Sequence, residues 1–89
     1  MAYMLIRHKV RDFGQWKPAY DAHQTARAAA GLKDLRLWHN ADDRNDIFLL
    51  FEAADLAKAK AFAASPDLKE KMTSAGVTGQ PEIFFLAAD

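Results

Sequence analysis

The sequence predicts one α+β domain in which two helical segments cover a four-stranded antiparallel sheet. Three observations predict it. Apolar runs of strand length lie at both ends and in the middle of the chain. Helix-capping residues precede the two segments between them. Eighty-nine residues, 1–89, leave room for a single domain and no more.

Tyr3 to Val10 is the first strand. Its even positions, Met4, Ile6, His8 and Val10, are mostly apolar, whereas Tyr3 and Leu5 give way to Arg7 and Lys9 on the other face. Asp12 and Gln15 then resemble a helix start in which each side chain reaches a backbone amide. Pro18 is ill-suited to a helix interior. The regular helix is therefore expected from Gln15–Lys17, running through Ala26–Ala30 to a cap at Gly31.

Leu35–Asn40 reads as a second strand, and Asp42-Asp43-Arg44-Asn45 as a hairpin turn into a third, Ile47–Phe51. Asp55 caps a second helix with an inner face of Leu56, Ala59, Phe62 and Ala63. Ser65-Pro66 restarts it, with Leu68, Met72 and Ala75 on one face. Gly76 and Gly79 end it before the last strand, Ile83–Leu86. The order β-α-β-β-α-β is the ferredoxin-like motif, with the first and third strands central and the helices on one face. A sheet with one solvated face should alternate apolar and polar residues, yet Ile47–Phe51 and Ile83–Leu86 are apolar throughout. A second copy of the sheet is the economical cover, so a homodimer, or a higher assembly built on it, is expected.

Composition narrows the function classes. Twelve basic residues balance twelve acidic ones, which argues against a nucleic-acid partner. Lys58, Lys60, Lys69 and Lys71 are offset by Asp55, Asp67 and Glu70 and read as solvated helix faces. The chain has no cysteine and its three histidines are not paired at metal-ligand spacing, so no metal or other cofactor is expected. No run approaches the roughly 20 apolar residues of a membrane helix, and no signal-peptide pattern occurs, so a cytoplasmic protein without a membrane partner is expected.

Several stretches carry a family resemblance: His8-Lys9-Val10-Arg11-Asp12-Phe13, Trp16-Lys17-Pro18, Tyr20-Asp21, Asn40-Ala41-Asp42-Asp43 and Ser65-Pro66. Together they resemble small bacterial proteins of the dimeric α+β barrel group. Members close to this pattern are labelled cyclase-like, or grouped with the antibiotic-biosynthesis monooxygenases. The resemblance implies the fold, a dimer, and a pocket between sheet and helices within each subunit. It does not imply one reaction, because the architecture hosts oxygenases, haem-degrading enzymes and cyclases. No catalytic residue is carried over from it.

Trp16, Ala19, Tyr20, His23, Ala26, Arg27 and Ala30 share one face of the first helix. They form either an ordinary core stripe or the wall of a pocket, with alanines leaving room among indole, phenol, imidazole and guanidinium groups. His8, on the apolar face of the first strand, is either a satisfied core residue or, with His23, a candidate general base. His23 has the more room, beside alanines. Trp38 and Asn40 share one face of an edge strand; they are candidates for substrate contact, although packing over the dimer seam or the helix suits Trp38 better. Arg7 and Lys9 are expected to meet carboxylates such as Glu52 or Glu82.

Two functions fit. One is a cofactor-independent monooxygenase or cyclase acting on an aromatic or polyketide-like molecule, with His8 or His23 as base, Tyr20 and Asn40 as donors and Trp16 as a wall. The other is a homodimer that binds a small aromatic ligand without reacting with it. Haem degradation would need an iron-ligating histidine, and the second helix has none.

Overall fold

Three side chains start three of the four helices. Asp12 accepts the Gln15 N–H at 3.2 Å, Asp55 those of Ala57 and Lys58 at 2.9 and 3.3 Å, and Ser65 that of Leu68 at 3.1 Å. Each satisfies amides that the first turn leaves without a partner. The computed structural model describes residues 1–88. Its elements are β1 (Ala2–Val10), α1 (Phe13–Ala22), α2 (Gln24–Ala29), β2 (Leu32–Asn40), β3 (Asp43–Ala53), α3 (Leu56–Ala63), α4 (Pro66–Ser74) and β4 (Val77–Ala87). None of the described helices is long and apolar enough to cross a membrane.

The four strands pair antiparallel in the order β2-β3-β1-β4, the ferredoxin-like topology expected from the element order. Register settles which residues share a face. Met4 lies opposite Phe51, Ile6 opposite Leu49 and His8 opposite Ile47, and this face is buried beneath the helices. Val10, Trp16, Leu32, Ala53 and Ala59 complete the core. The other face carries Leu5, Phe48, Leu50, Trp38, Phe84 and Leu86 by the same register. Trp38 is 48% exposed, Phe84 45% and Leu86 44%, so the chain by itself leaves this apolar surface in water.

The fold corrects three boundaries. The first helix is regular from Phe13 rather than from Gln15–Lys17, with Pro18 inside it. Pro18 falls in its second turn, where the missing N–H frees only the carbonyl of Gly14, an exposed residue that water can reach. The same helical segment then breaks at His23 instead of running on to Gly31. The strands are also longer than their apolar runs, because backbone pairing extends past them into Lys33-Asp34, Asp43–Asp46 and Val77–Glu82. Gly31 and Gly79 hold φ of 77° and 69°, a left-handed conformation that other residues rarely adopt. Gly31 turns the chain out of α2, and Gly79 lies where β4 bulges away from β1 between the Arg7 and Lys9 pairings.

Arg7 meets a carboxylate, though chiefly not one of those expected. Its Nε and Nη2 donate to Asp46 at 3.2 and 3.0 Å, and Glu82 lies 4.0 Å away. Asp46 is shielded because Arg7 and Asn40 lie over it, and the Arg7 hydrogen bond holds its carboxyl below the usual value of 3.8.

Candidate functional site

A cavity lies between the sheet and the helices. Met4, Ile6, His8, Leu49 and Phe51 form its floor, and Trp16, Ala19, Tyr20, His23 and Arg27 one wall. Phe62, Leu68, Lys71, Met72 and Ala75 form the other. Its volume is about 60 Å³. A dry engineered cavity that takes benzene measures ~150 Å³. A single aromatic ring therefore enters only as the walls give, and Met72, unbranched and flexible, is the side chain best able to yield.

The floor holds the site's most unusual group. His8 is 4% exposed, and neither ring nitrogen has a hydrogen-bond partner. Buried polar atoms are nearly always paired, so an orphaned imidazole facing a cavity is set up to bond with whatever enters. Burial pushes its pKa down from 6.5 to about 4, partly opposed by the charge of Asp46. At neutral pH the ring is uncharged, one nitrogen a donor and the other an acceptor. The edge of Trp16 meets it, with centroids 5.5 Å apart and planes at 78°.

This arrangement fixes how stability responds to acid. The folded chain resists protonation of His8, whereas the unfolded chain takes the proton up near pH 6.5. Stability is thus full above that pH and falls as pH drops to about 4, by roughly 3 kcal/mol. Asp46, whose carboxyl is held low, adds a loss only below the ordinary carboxylate range. Urea unfolding at intervals from pH 8 to 4 should show the decline beginning near 6.5; a flat profile down to pH 4.5 would contradict a neutral buried His8.

The wall is organised by Arg27. Its guanidinium, in a residue 5% exposed, donates to both carboxylate oxygens of Asp34 at 3.2 and 3.1 Å and to the Tyr20 carbonyl at 2.7 Å. That carbonyl lies at the end of α1, so the side chain caps the helix where it breaks. The same guanidinium sits 3.8 Å from the centroid of the Tyr20 ring, which stacks on Trp16 at 4.8 Å. Burial raises the Tyr20 phenol to about 12, the positive charge of Arg27 opposing the shift, so the hydroxyl remains a donor. His23 stands half-buried where α1 ends, its ring stacked with Phe62 at 6.2 Å. A surface groove shares Ala19, His23, Lys71 and Ala75 with the cavity and marks its mouth.

No family model matches the chain, and no curated protein sequence matches it. Solved structures do. A protein from Bordetella bronchiseptica described as a candidate antibiotic biosynthesis monooxygenase superposes with a TM-score of 0.75 at 12% identity, covering 99% of this chain and 97% of its own. Another antibiotic biosynthesis monooxygenase gives 0.70 at 14% identity over 100% and 99%. The fold is that of the antibiotic biosynthesis monooxygenases. A variant of SnoaB from Streptomyces nogalater, a cofactor-independent oxygenase, shares it at 0.73 and 16% identity, over 98% and 91%.

Within this fold, the structure brings together five of the seven residues singled out in the sequence. His8, Trp16, Tyr20, His23 and Arg27 all line the cavity. Trp38 and Asn40 do not. Trp38 pairs with Phe48 on the uncovered face, while the Asn40 side chain donates to Asp46 at 3.4 Å and accepts the Asp42 N–H at 2.9 Å. Substrate contact from this face would have to pass through the sheet, so neither residue belongs to the cavity. His23, the histidine with more room, is at the mouth, and the enclosed imidazole is His8. Lys71 is exposed, as a solvated helix face implies, and its place three residues after Leu68 and four before Ala75 also sets it at the edge of the cavity, which the sequence reading did not single out.

Proposed function

We propose that this chain is a cofactor-independent enzyme, of monooxygenase or cyclase type, acting on an aromatic or polyketide-like molecule in the cavity. The observation that carries the reading is His8, buried, uncharged and unpartnered at the cavity floor. A neutral imidazole accepts the acidic proton of a phenol, or of carbon flanked by carbonyls. The electron-rich anion left behind either reduces oxygen or attacks a carbonyl to close a ring. Trp16 and Phe62 hold the ring in apolar surroundings, and the Tyr20 hydroxyl donates to developing negative charge. The low proton affinity of His8 rises when an anion forms beside it, because opposite charges in a dry site favour each other. His23 at the mouth is the second candidate base.

One observation favours a non-catalytic ligand-binding homodimer: a pKa of about 4 makes resting His8 a weak base. Turnover separates the readings. Oxygen uptake and product formation are measured on hydroxylated aromatics that bind the purified protein. In the enzyme, His8→Gln or His23→Gln lowers turnover by roughly 10²–10⁴-fold. Binding without turnover of any such compound supports the second reading, and failure of all aromatics to bind overturns both.

In either reading the functional unit is a homodimer joined through the uncovered sheet face. The exposure of Trp38, Phe84 and Leu86 supports it.

A further inference from the structure

The charge around the cavity is one-sided. Lys71, His23 and Arg27 are the ionisable side chains of its walls and mouth besides His8 and Tyr20, and no carboxylate lines either. The chain as a whole has as many acidic as basic residues, so this is a local arrangement. Arg27 is already matched by Asp34. Lys71 is not: among the described residues it makes no ion pair within 4 Å, although Asp67 lies one turn earlier on α4. The position of Lys71 in the last turn of α4 suits the helix dipole, which accounts for a cation there but not for the exclusion of carboxylates from the whole rim. The unpartnered nitrogens of His8 point independently to a ligand inside.

We propose that Lys71 is a specificity-determining residue that selects a ligand with an acidic group, so that the cavity takes an aromatic acid in preference to a neutral aromatic. The inference rests on the reading of the cavity as a ligand site. The ring enters between Trp16 and Phe62, its polar substituent meets His8, and its carboxylate stays at the mouth beside the ammonium of Lys71. Leaving the carboxylate at the solvated mouth avoids the cost of burying it.

The probes are 4-hydroxybenzoate and 4-hydroxybenzamide, which share ring and hydroxyl and differ in charge. Binding is followed by NMR shifts of the Trp16 indole and the Met72 methyl, in the native chain and in Lys71→Gln and Lys71→Arg. The acid should bind about fivefold more tightly than the amide, the upper end for an exposed ion pair. Lys71→Gln should abolish the preference and Lys71→Arg retain it. Equal binding of acid and amide in the cavity, or a preference that survives Lys71→Gln, overturns this inference and leaves the ligand site standing. If neither probe moves Trp16 or Met72, the ligand-site reading falls, and the inference with it.

Discussion

Replacing His8 by leucine is expected to stabilise the protein while abolishing its function. The two side chains fill similar space, but leucine leaves no buried donor and acceptor without partners. That removes a penalty of about 1–3 kcal/mol, against roughly 1 kcal/mol for the lost contact with Trp16. A net gain of about 1 kcal/mol raises the melting temperature by roughly 4–8 °C in a domain of this size. The gain should grow on acidification, because the variant has no imidazole to protonate between pH 6.5 and 4. Turnover, or ligand binding where there is no turnover, should disappear. This pairing separates a functional histidine from a structural one. A core histidine that served packing would cost stability when removed, so a lowered melting temperature with ligand binding intact would refute the assignment.

The second large effect concerns the other side of the sheet. Phe84→Asp is expected to split the dimer into folded monomers. Phe84 is 45% exposed in the isolated chain, so a carboxylate there remains hydrated and the fold survives. In the proposed dimer the same carboxylate would lie within an interface on the order of 1,500 Å² and would have to shed its water. Sedimentation equilibrium at micromolar concentration should show twice the 10.0 kDa chain mass for the native protein and 10.0 kDa for the variant. Native protein at 10.0 kDa would show that the exposed Trp38, Phe84 and Leu86 do not draw two copies together.

The fold was legible because its signals are local. Asp12, Asp55 and Ser65 are caps recognisable from sequence, and alternation along Met4–Val10 correctly separated the core face from the other. Strand ends were shortened because pairing of Asp43–Asp46 or Val77–Glu82 depends on the neighbouring backbone, which apolar runs do not report. The break at His23 was hidden for a similar reason. The Tyr20 carbonyl is taken by the side chain of Arg27, seven residues on, while Asp34 of β2 holds that side chain. Such a three-body arrangement exists only after folding. One wall of the site could be read from a helical wheel, and Arg27, Tyr20 and Trp16 are where that wheel placed them. The opposite wall was legible in the same way for Phe62, Leu68, Met72 and Ala75, whereas Lys71, an exposed side chain at its edge, is told from Lys69 only by the turn of α4.

The state of the His8 imidazole bears most directly on the claim that this cavity is a working site. Nitrogen-15 NMR of the ring at pH 7 reports charge and hydrogen bonding at each nitrogen. The ring should be neutral in the free protein, and a hydroxylated aromatic such as 4-hydroxybenzoate should shift the acceptor nitrogen as a hydrogen bond forms. A charged imidazole at pH 7, or one that no bound aromatic perturbs, would contradict the account.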